Sequence, residues 1–346
     1  MKRLLGTFAA LGALAAALLF LSGCDKANEP DVPQHPYHLI NSMITDGTSE
    51  DVKVAGNYVA VANGTFGAFV LDKNHLDSLR VVLNYAAGPA TRVHFVAIDT
   101  VHSYLGVYRD PSNDDHYGVF DLTKAGTPDV EVHFTPAFSQ QVDEFNVTAT
   151  HDSVIWWCTD YTPTDRWLTT SAMSRADSNS PWQLYNACSY HQPVHGIPRG
   201  FGLRSDGMIA VANDDAGIYI DDSGTCLHHG EVDMTGIAYG CAWYGNYVIV
   251  AADYLTIIVD ATDLDHPQVI SSLTIPTADR LRKVAVDGTF ACVLDEYDGV
   301  YVIDISNPRN PQYVQLLNFY DGRAVAADNG KLFCTAGGLG LLIYSR

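Results

Sequence analysis

From residue 37 onward, apolar and polar positions alternate in short runs closed by Gly, Asn, Asp or Pro. This is strand periodicity, and no stretch of that region keeps the 3.6-residue period of a helix. The clearest unit is 282–317, RKVAVDGTFACVLDEYDGVYVIDISNPRNPQYVQLL. The alternation predicts a strand over 282–286 and Asp287-Gly288 a two-residue hairpin turn. Apolar strands at 289–294 and 300–305 follow, separated by the turn residues 295–299. After the turn at 306–311 comes a fourth strand at 312–317.

The same frame recurs at 51–83, 92–134, 144–186, 200–232, 239–275 and 323–344. In the second copy the middle strands part around an insertion at 109–116, and the third copy is the weakest. The first-hairpin turns fall at Asn57, Thr100, Ser153, Gly207, Asn246, Gly288 and Gly330, with roughly 39 to 54 residues between them, the period of propeller blades. Units of this kind without helices predict an all-β chain, a seven-bladed β-propeller. A ring of six or eight is the structural alternative, because copies two and three are irregular. The last copy stops after its third strand, at Tyr344. Residues 36–45, PYHLINSMIT, resemble the fourth strands PQYVQLLNF (311–319) and PQVISSLTI (267–275). We therefore expect His38–Thr45 to pair onto the last copy, so that the N-terminal strand closes the last blade and ties down the C-terminus.

Third strands that end in Asp are a signature in themselves: LTIIVDATDLDHPQV at 255–269 and VYVIDISNPRNPQYV at 300–314, with weaker versions at 68–72, 117–128 and 217–222. This pattern is similar to the LVIVD-repeat family of bacterial exported and surface proteins. It fails in the third copy, at Ala172-Met173-Ser174, and the seventh ends in Tyr344-Ser345. The resemblance implies a propeller and no particular activity. Asp72, Asp121, Asp221, Asp260 and Asp304 occupy the Asp position. An Asp opening a turn accepts backbone N–H groups two residues on, which accounts for them better than metal binding on separate spokes.

Residues 1–24 have a different character. Lys2 and Arg3 precede an apolar run from Leu4 to Leu21, and Leu21-Ser22-Gly23-Cys24 resembles a bacterial lipobox. A transmembrane anchor is the competing reading, but the run is near the lower length limit for a span. The expected organisation is a lipoprotein signal peptide (1–23), a lipidated Cys24 with a Pro-rich tether (24–36) and the propeller (37–346). The expected partner is a membrane, reached through the lipid anchor, on the periplasmic or extracellular side of a bacterial envelope. Asp25 resembles an inner-membrane retention signal in some lineages only, so the choice of membrane stays open. Cys158, Cys188, Cys226, Cys241, Cys292 and Cys334 permit disulfides in an exported chain. They form no CxxC pair that would suggest zinc. Cys292 and Cys334 sit in apolar strands, where buried free thiols are the preferred reading.

With 40 Asp+Glu against 20 Lys+Arg, the net charge of −20 argues against nucleic acid as a partner. Bases are scarce, so their placement is informative. Arg92, Arg199 and Arg280 stand seven residues before Asp99, Asp206 and Asp287; Arg282 and Arg323 stand five before Asp287 and Asp328. All five therefore start an innermost strand, on one face of the disc. Converging guanidiniums would suit a carboxylate or sugar acid. The plainer account pairs each with a neighbouring blade's Asp, such as Asp143 or Asp321. Acidic loops on that face (Asp110, Asp114, Asp115, Asp160, Asp165, Asp214, Asp215, Asp253, Asp295, Glu296, Asp298) lack an EF-hand run and read as solvated surface. His191 and His195 have a zinc-like spacing, but Pro193 and Pro198 deny the helix it requires. His228 and His229 point to opposite faces of a strand. Trp156, Trp157, Tyr161 and Trp167 make copy three aromatic-rich, by default for core packing, although Tyr161 and Trp167 flank a loop and could offer a sugar-stacking or protein-binding surface.

No nucleophile–base motif is present, and no cofactor or metal is implied. The expected role is a non-enzymatic binding or scaffolding module of the envelope, with a protein or glycan partner. The alternative is a carbohydrate-active or hydrolytic enzyme with its site at the arginine-lined channel mouth. Arg280 and Arg323 next to His94 or Tyr239 would favour catalysis, and arginines paired off with acids would favour the scaffold.

Overall fold

The computed structural model describes residues 35–86, 91–109, 117–124, 132–134, 144–150, 153–161, 166–174, 183–185, 189–191, 196–223, 225 and 227–346. The expected signal segment, Cys24, the expected tether up to residue 34, Asp110, Asp114, Asp115, Asp143, Asp165, Cys188, His195 and Cys226 lie outside them. The described residues form no α-helix and fold into seven antiparallel sheets. Sheets one, two, four, five and six each follow chain order, and their first strands are Asp51–Ala55, Val93–Asp99, Gly200–Leu203, Ala238–Tyr244 and Leu281–Asp287. Sheet seven starts at Gly322–Asp328, and its outermost strand comes from the other end of the chain. His38–Met43 lies antiparallel on Gly340–Ser345, from His38 opposite Ser345 to Met43 opposite Leu341. The expected pairing is thus present and ends two residues short of Thr45.

Sheet three departs from the repeat. It starts at Phe145–Thr150, and its outer edge is split between Gln183–Tyr185 and Ser189–His191, both paired to Arg166–Ser174. His191 lies in a strand opposite Trp167, so it has no helical i,i+4 geometry.

The middle strands are continuous apolar runs because both of their faces are buried. In Tyr58–Ala62, Val59 and Val61 pack with Ala324, Phe333 and Ile343 of sheet seven. Ala60 and Ala62, pointing the other way, pack with Val96, Leu105 and Val107 of sheet two. The pattern repeats at four further junctions. Tyr108 meets Phe145 between sheets two and three, and Trp157 meets Ile209 and Val211 between three and four. Ala210 and Ile220 meet Val248 and Val250 between four and five, while Ile249 and Ile258 meet Val293 and Tyr301 between five and six. The first strands of sheets six and seven also adjoin. Each buried Val, Ile or Leu removes apolar area worth roughly 1.5–3 kcal/mol, so every sheet is held mainly by its two neighbours.

The turn role expected of the third-strand Asp is met at four positions. Asp72, Asp121, Asp260 and Asp304 accept from the backbone N–H of Asn74, Thr123, Thr262 and Ser306 at 2.8–3.0 Å. Asp221 is the exception. Sheet four has the doublet Asp221-Asp222, and Asp222, opposite Met208, holds the last register position that Asp260 and Asp304 hold in their sheets. Asp222 accepts from Thr225 N–H (3.2 Å), and Asp221, now one residue inside the strand, bonds His228 Nδ1 at 2.9 Å.

Cys241, Cys292 and Cys334 are buried free thiols, as preferred for the last two. Burial pushes the pKa of Cys241 and Cys292 up to about 12 and that of Cys334 well above the ordinary thiol value. Thiolate is the reactive form, so all three should resist iodoacetamide in the folded protein and alkylate fully in denaturant. Mass spectrometry of the three peptides checks this; alkylation of Cys292 under native conditions would contradict the packing.

Candidate functional site

A cavity of about 480 Å³ opens at the end of the first strands where the arginines were expected. Arg199, Arg280, Arg282 and Arg323 line it, together with Lys283, His94, Phe95, Tyr239, Glu50, Glu296 and Gly322. Arg92 is not in the wall. It reaches the site at one remove, through an ion pair with the wall residue Glu50.

Four of the wall residues are placed by one device. The first strands of sheets two, five, six and seven each slip register by one residue near their start, between Val93 and Phe95, Ala238 and Gly240, Leu281 and Lys283, and Gly322 and Ala324. The extra residues are His94, Tyr239, Arg282 and Arg323, and all four line the cavity. A β-bulge leaves its extra residue unpaired and re-aims the side chain. The repeat thus directs one side chain per bulged sheet into a common mouth. The first strands also come close together, which requires small residues. A Cβ on Gly240 would lie 2.3 Å from the Arg282 carbonyl oxygen.

Asp295, fully buried, fixes the approach to the site. Its Oδ2 accepts the backbone N–H groups of Asp279 (3.0 Å) and Arg280 (2.8 Å). Its Oδ1 accepts those of Tyr297 (2.7 Å) and Asp298 (3.0 Å). One carboxylate therefore sets both the segment that carries Arg280 and the turn that carries Glu296.

Each expected arginine has an acidic partner. Arg199 pairs with Asp214 (3.4 Å), Arg280 and Arg282 share Glu296 (3.6 and 2.9 Å), Arg323 pairs with Asp321 (2.6 Å) and Arg92 with Glu50. Only the Glu50 pair joins neighbouring sheets; the rest lie within their own. Arg282 also stands over the Tyr239 ring, 5.6 Å from its centroid. Its Nε is buried with no hydrogen-bond partner among the described residues. Among those residues, no three of His, Cys, Asp and Glu gather as a metal site.

Beneath the mouth lies a second cavity of about 250 Å³, and Lys283 lines both. There Glu144, from the start of sheet three, is ion-paired to both Lys53 and Lys283, while Asp51 lies 3.9 Å from Lys53. Burial works against charge on Glu144, but the two ammonium groups outweigh it and hold the pKa down. Burial also works against charge on Lys53, and Asp51 and Glu144 more than offset it and push the pKa up. Asp51 is pushed up, chiefly by burial. The sequence reading did not find this trio. Its residues are far apart in the chain, and Glu144 opens the least regular repeat. Glu50, Glu296, Phe95 and Gly322 were also missed as wall residues. Superposing the repeats would have placed His94, Tyr239, Arg282 and Arg323 in one column.

The fold these sheets define is that of a β-propeller. The LVIVD repeat model matches residues 46–72, 235–274 and 280–318, so the chain carries LVIVD repeats in sheets one, five and six. The match does not take in the weaker versions at 117–128 and 217–222. Among solved structures, the chain is similar to the β-propeller domain of Cps50 (Swd1) from Myceliophteria thermophila, with a TM-score of 0.62 at 13% identity. That similarity covers 89% of this chain and 98% of the other, and it concerns the fold alone. No curated protein sequence matches the chain.

Proposed function

We propose that this chain is a non-enzymatic binding module, a seven-bladed propeller whose last blade is closed by His38–Met43. Its ligand is anionic and enters the arginine-lined mouth. The packing clusters that link successive sheets, and sheet seven back to sheet one, support the blade count. One observation carries the binding reading. In a chain of net charge −20, five cations and only two carboxylates line one cavity, and register bulges aim two of the cations there. Such walls concentrate positive potential where water is partly excluded. The pairing of every expected arginine with an acid favours a scaffold over catalysis, while His94 and Tyr239 in the same wall are what the enzyme alternative calls for. Glu50 and Glu296 hold the guanidiniums in place and give way to a ligand carboxylate.

Citrate is a suitable probe, titrated calorimetrically into the mature protein at low ionic strength. Arg280→Ala with Arg282→Ala is expected to weaken binding by about tenfold or more, since hydrogen bonds to charged groups are worth roughly 1.5–3 kcal/mol. Glu296→Gln is expected to strengthen it several-fold by freeing two guanidiniums. Equal affinity in both variants would remove the mouth as the site.

The same reading places the propeller at a bacterial envelope, anchored by lipid on Cys24 with a short tether. Lys2, Arg3 and Leu21-Ser22-Gly23-Cys24 support it. A bacterium expressing the full chain and fed an alkynyl fatty acid should label the protein and hold it in the membrane fraction. Cys24→Ser should abolish both. Label that survives the substitution would refute the anchor.

A further inference from the structure

The wall of the mouth has an unusual composition. Apart from its charged residues it holds His94, Phe95, Tyr239 and Gly322, with no Leu, Ile, Val or Met. Pockets that anchor peptide side chains are lined predominantly by apolar groups that bury an aliphatic or aromatic plug. This one offers only cations, polar groups and ring faces.

A second feature adjoins it. Tyr297 follows the wall residue Glu296, and Tyr320 precedes the wall residue Gly322 by two. The two segments are tied by the Gly322 N–H, which donates to the Glu296 carbonyl at 3.0 Å. The two rings lie 6.2 Å apart, with Tyr320 69% exposed and Tyr297 41% exposed. Rings in contact yet this exposed leave apolar faces beside a charged cavity.

We infer that the mouth and the Tyr297–Tyr320 lip together bind an acidic polysaccharide. The carboxylate of one uronic-acid unit sits among Arg280, Arg282 and Arg323, and the next sugar ring packs on the tyrosine pair. This rests on the anion-binding reading above and names its ligand class. A uronate chain supplies what the two features ask for, a carboxylate on each ring and C–H faces that stack on aromatic rings. An acidic peptide matches the charge but not the lack of aliphatic walls.

The test is calorimetry on the mature protein with four probes. They are galacturonate, tetragalacturonate, the tetramer with its carboxyls reduced, and a tetraglutamate peptide. The tetramer should bind about tenfold tighter than the monomer, the reduced tetramer should lose that affinity, and tetraglutamate should bind no better than the monomer. Tyr320→Ala, and Tyr297→Ala with it, should collapse the tetramer-to-monomer ratio towards one. Tyr320 is exposed enough for its single variant to fold if the double does not. A ratio that survives Tyr320→Ala, or a peptide that binds as tightly as the tetramer, overturns the polysaccharide and leaves the anion site standing. Monomer affinity unaffected by Arg280→Ala with Arg282→Ala overturns both.

Discussion

Replacing Glu144 with alanine is expected to destabilise the fold by about 3–5 kcal/mol, the usual effect of removing one partner from a buried ion pair. Glu144 is 6% exposed and bonded to Lys53 from sheet one and Lys283 from sheet six. Without it, Lys53 and Lys283 both lose the carboxylate they share, and Asp51 stays 3.9 Å from Lys53. Urea unfolding should show a lower midpoint with an unchanged slope. The triple change Glu144→Leu, Lys53→Met and Lys283→Met should recover most of the loss, because it removes the uncompensated charge. A Glu144→Ala protein within about 0.5 kcal/mol of the parent, the range of ordinary surface changes, would mean the trio is not coupled.

The trio also sets a pH dependence with a definite sign. The pKa of Glu144 is depressed in the folded protein, so its contribution is present above the unfolded Glu value of about 4.3 and lost as pH falls through the folded value. The pKa of Lys53 is raised, so its contribution is full below about 10.4 and lost as pH rises through the folded value. Asp51, raised chiefly by burial, acts in the opposite sense to Glu144 on the acid side. Acid unfolding in an Asp51→Asn background therefore isolates Glu144 and should shift less between pH 5 and 3 once Glu144 is also replaced.

What could be read from the chain follows the range of the interactions involved. The repeats, their hairpin turns and the Asp at the end of the third strands are local, and they surface as period, Asp-Gly pairs and apolar runs. The arginines were placed by counting residues back from those turns, which is still a local argument. Bulges are not local. Which of Leu281, Arg282 and Lys283 is the extra residue depends on its pairing partners Asp295 and Leu294, so counting back from the turn reaches the start of the strand but not the bulge that aims Arg282. The Asp221-Asp222 doublet failed for the same reason, since register against Met208 decides which acid opens the turn. Glu144 was hidden twice over, by an irregular repeat and by partners 91 and 139 residues away.

Tyr37→Ala is the second change with a large expected effect, about 3–5 kcal/mol as for other buried aromatics cut to alanine. Strand His38–Met43 has little burial of its own; Leu39 is 53% exposed and Ile40 44%. It is held by backbone pairing to Gly340–Ser345, by the Asn41 side chain donating to the Leu76 carbonyl (2.7 Å), and by Tyr37 at its head. Tyr37 is 2% exposed, with its ring edge-on to Phe290 and its main chain bonded at both N–H and carbonyl to the Gln315 side chain. Its hydroxyl donates to Asp287 Oδ2 at 2.5 Å. The same carboxylate accepts the Gly330 N–H (3.0 Å) and pairs with Arg346 (3.1 Å). One buried Asp thus joins sheet six, a turn of sheet seven and both ends of the described chain. Tyr37→Phe keeps the ring and loses only the charge-assisted bond, so it should cost about 1.5–3 kcal/mol. Tyr37→Ala empties the pocket and frees the strand, leaving Gly340–Ser345 as an open sheet edge. Hydrogen exchange separates this from general loosening. Amides of 38–43 and 340–345 should lose protection together in Tyr37→Ala, while those of the sheet-five strand Tyr247–Ala252 keep theirs. Unchanged protection at both termini would mean that backbone pairing alone closes the last sheet.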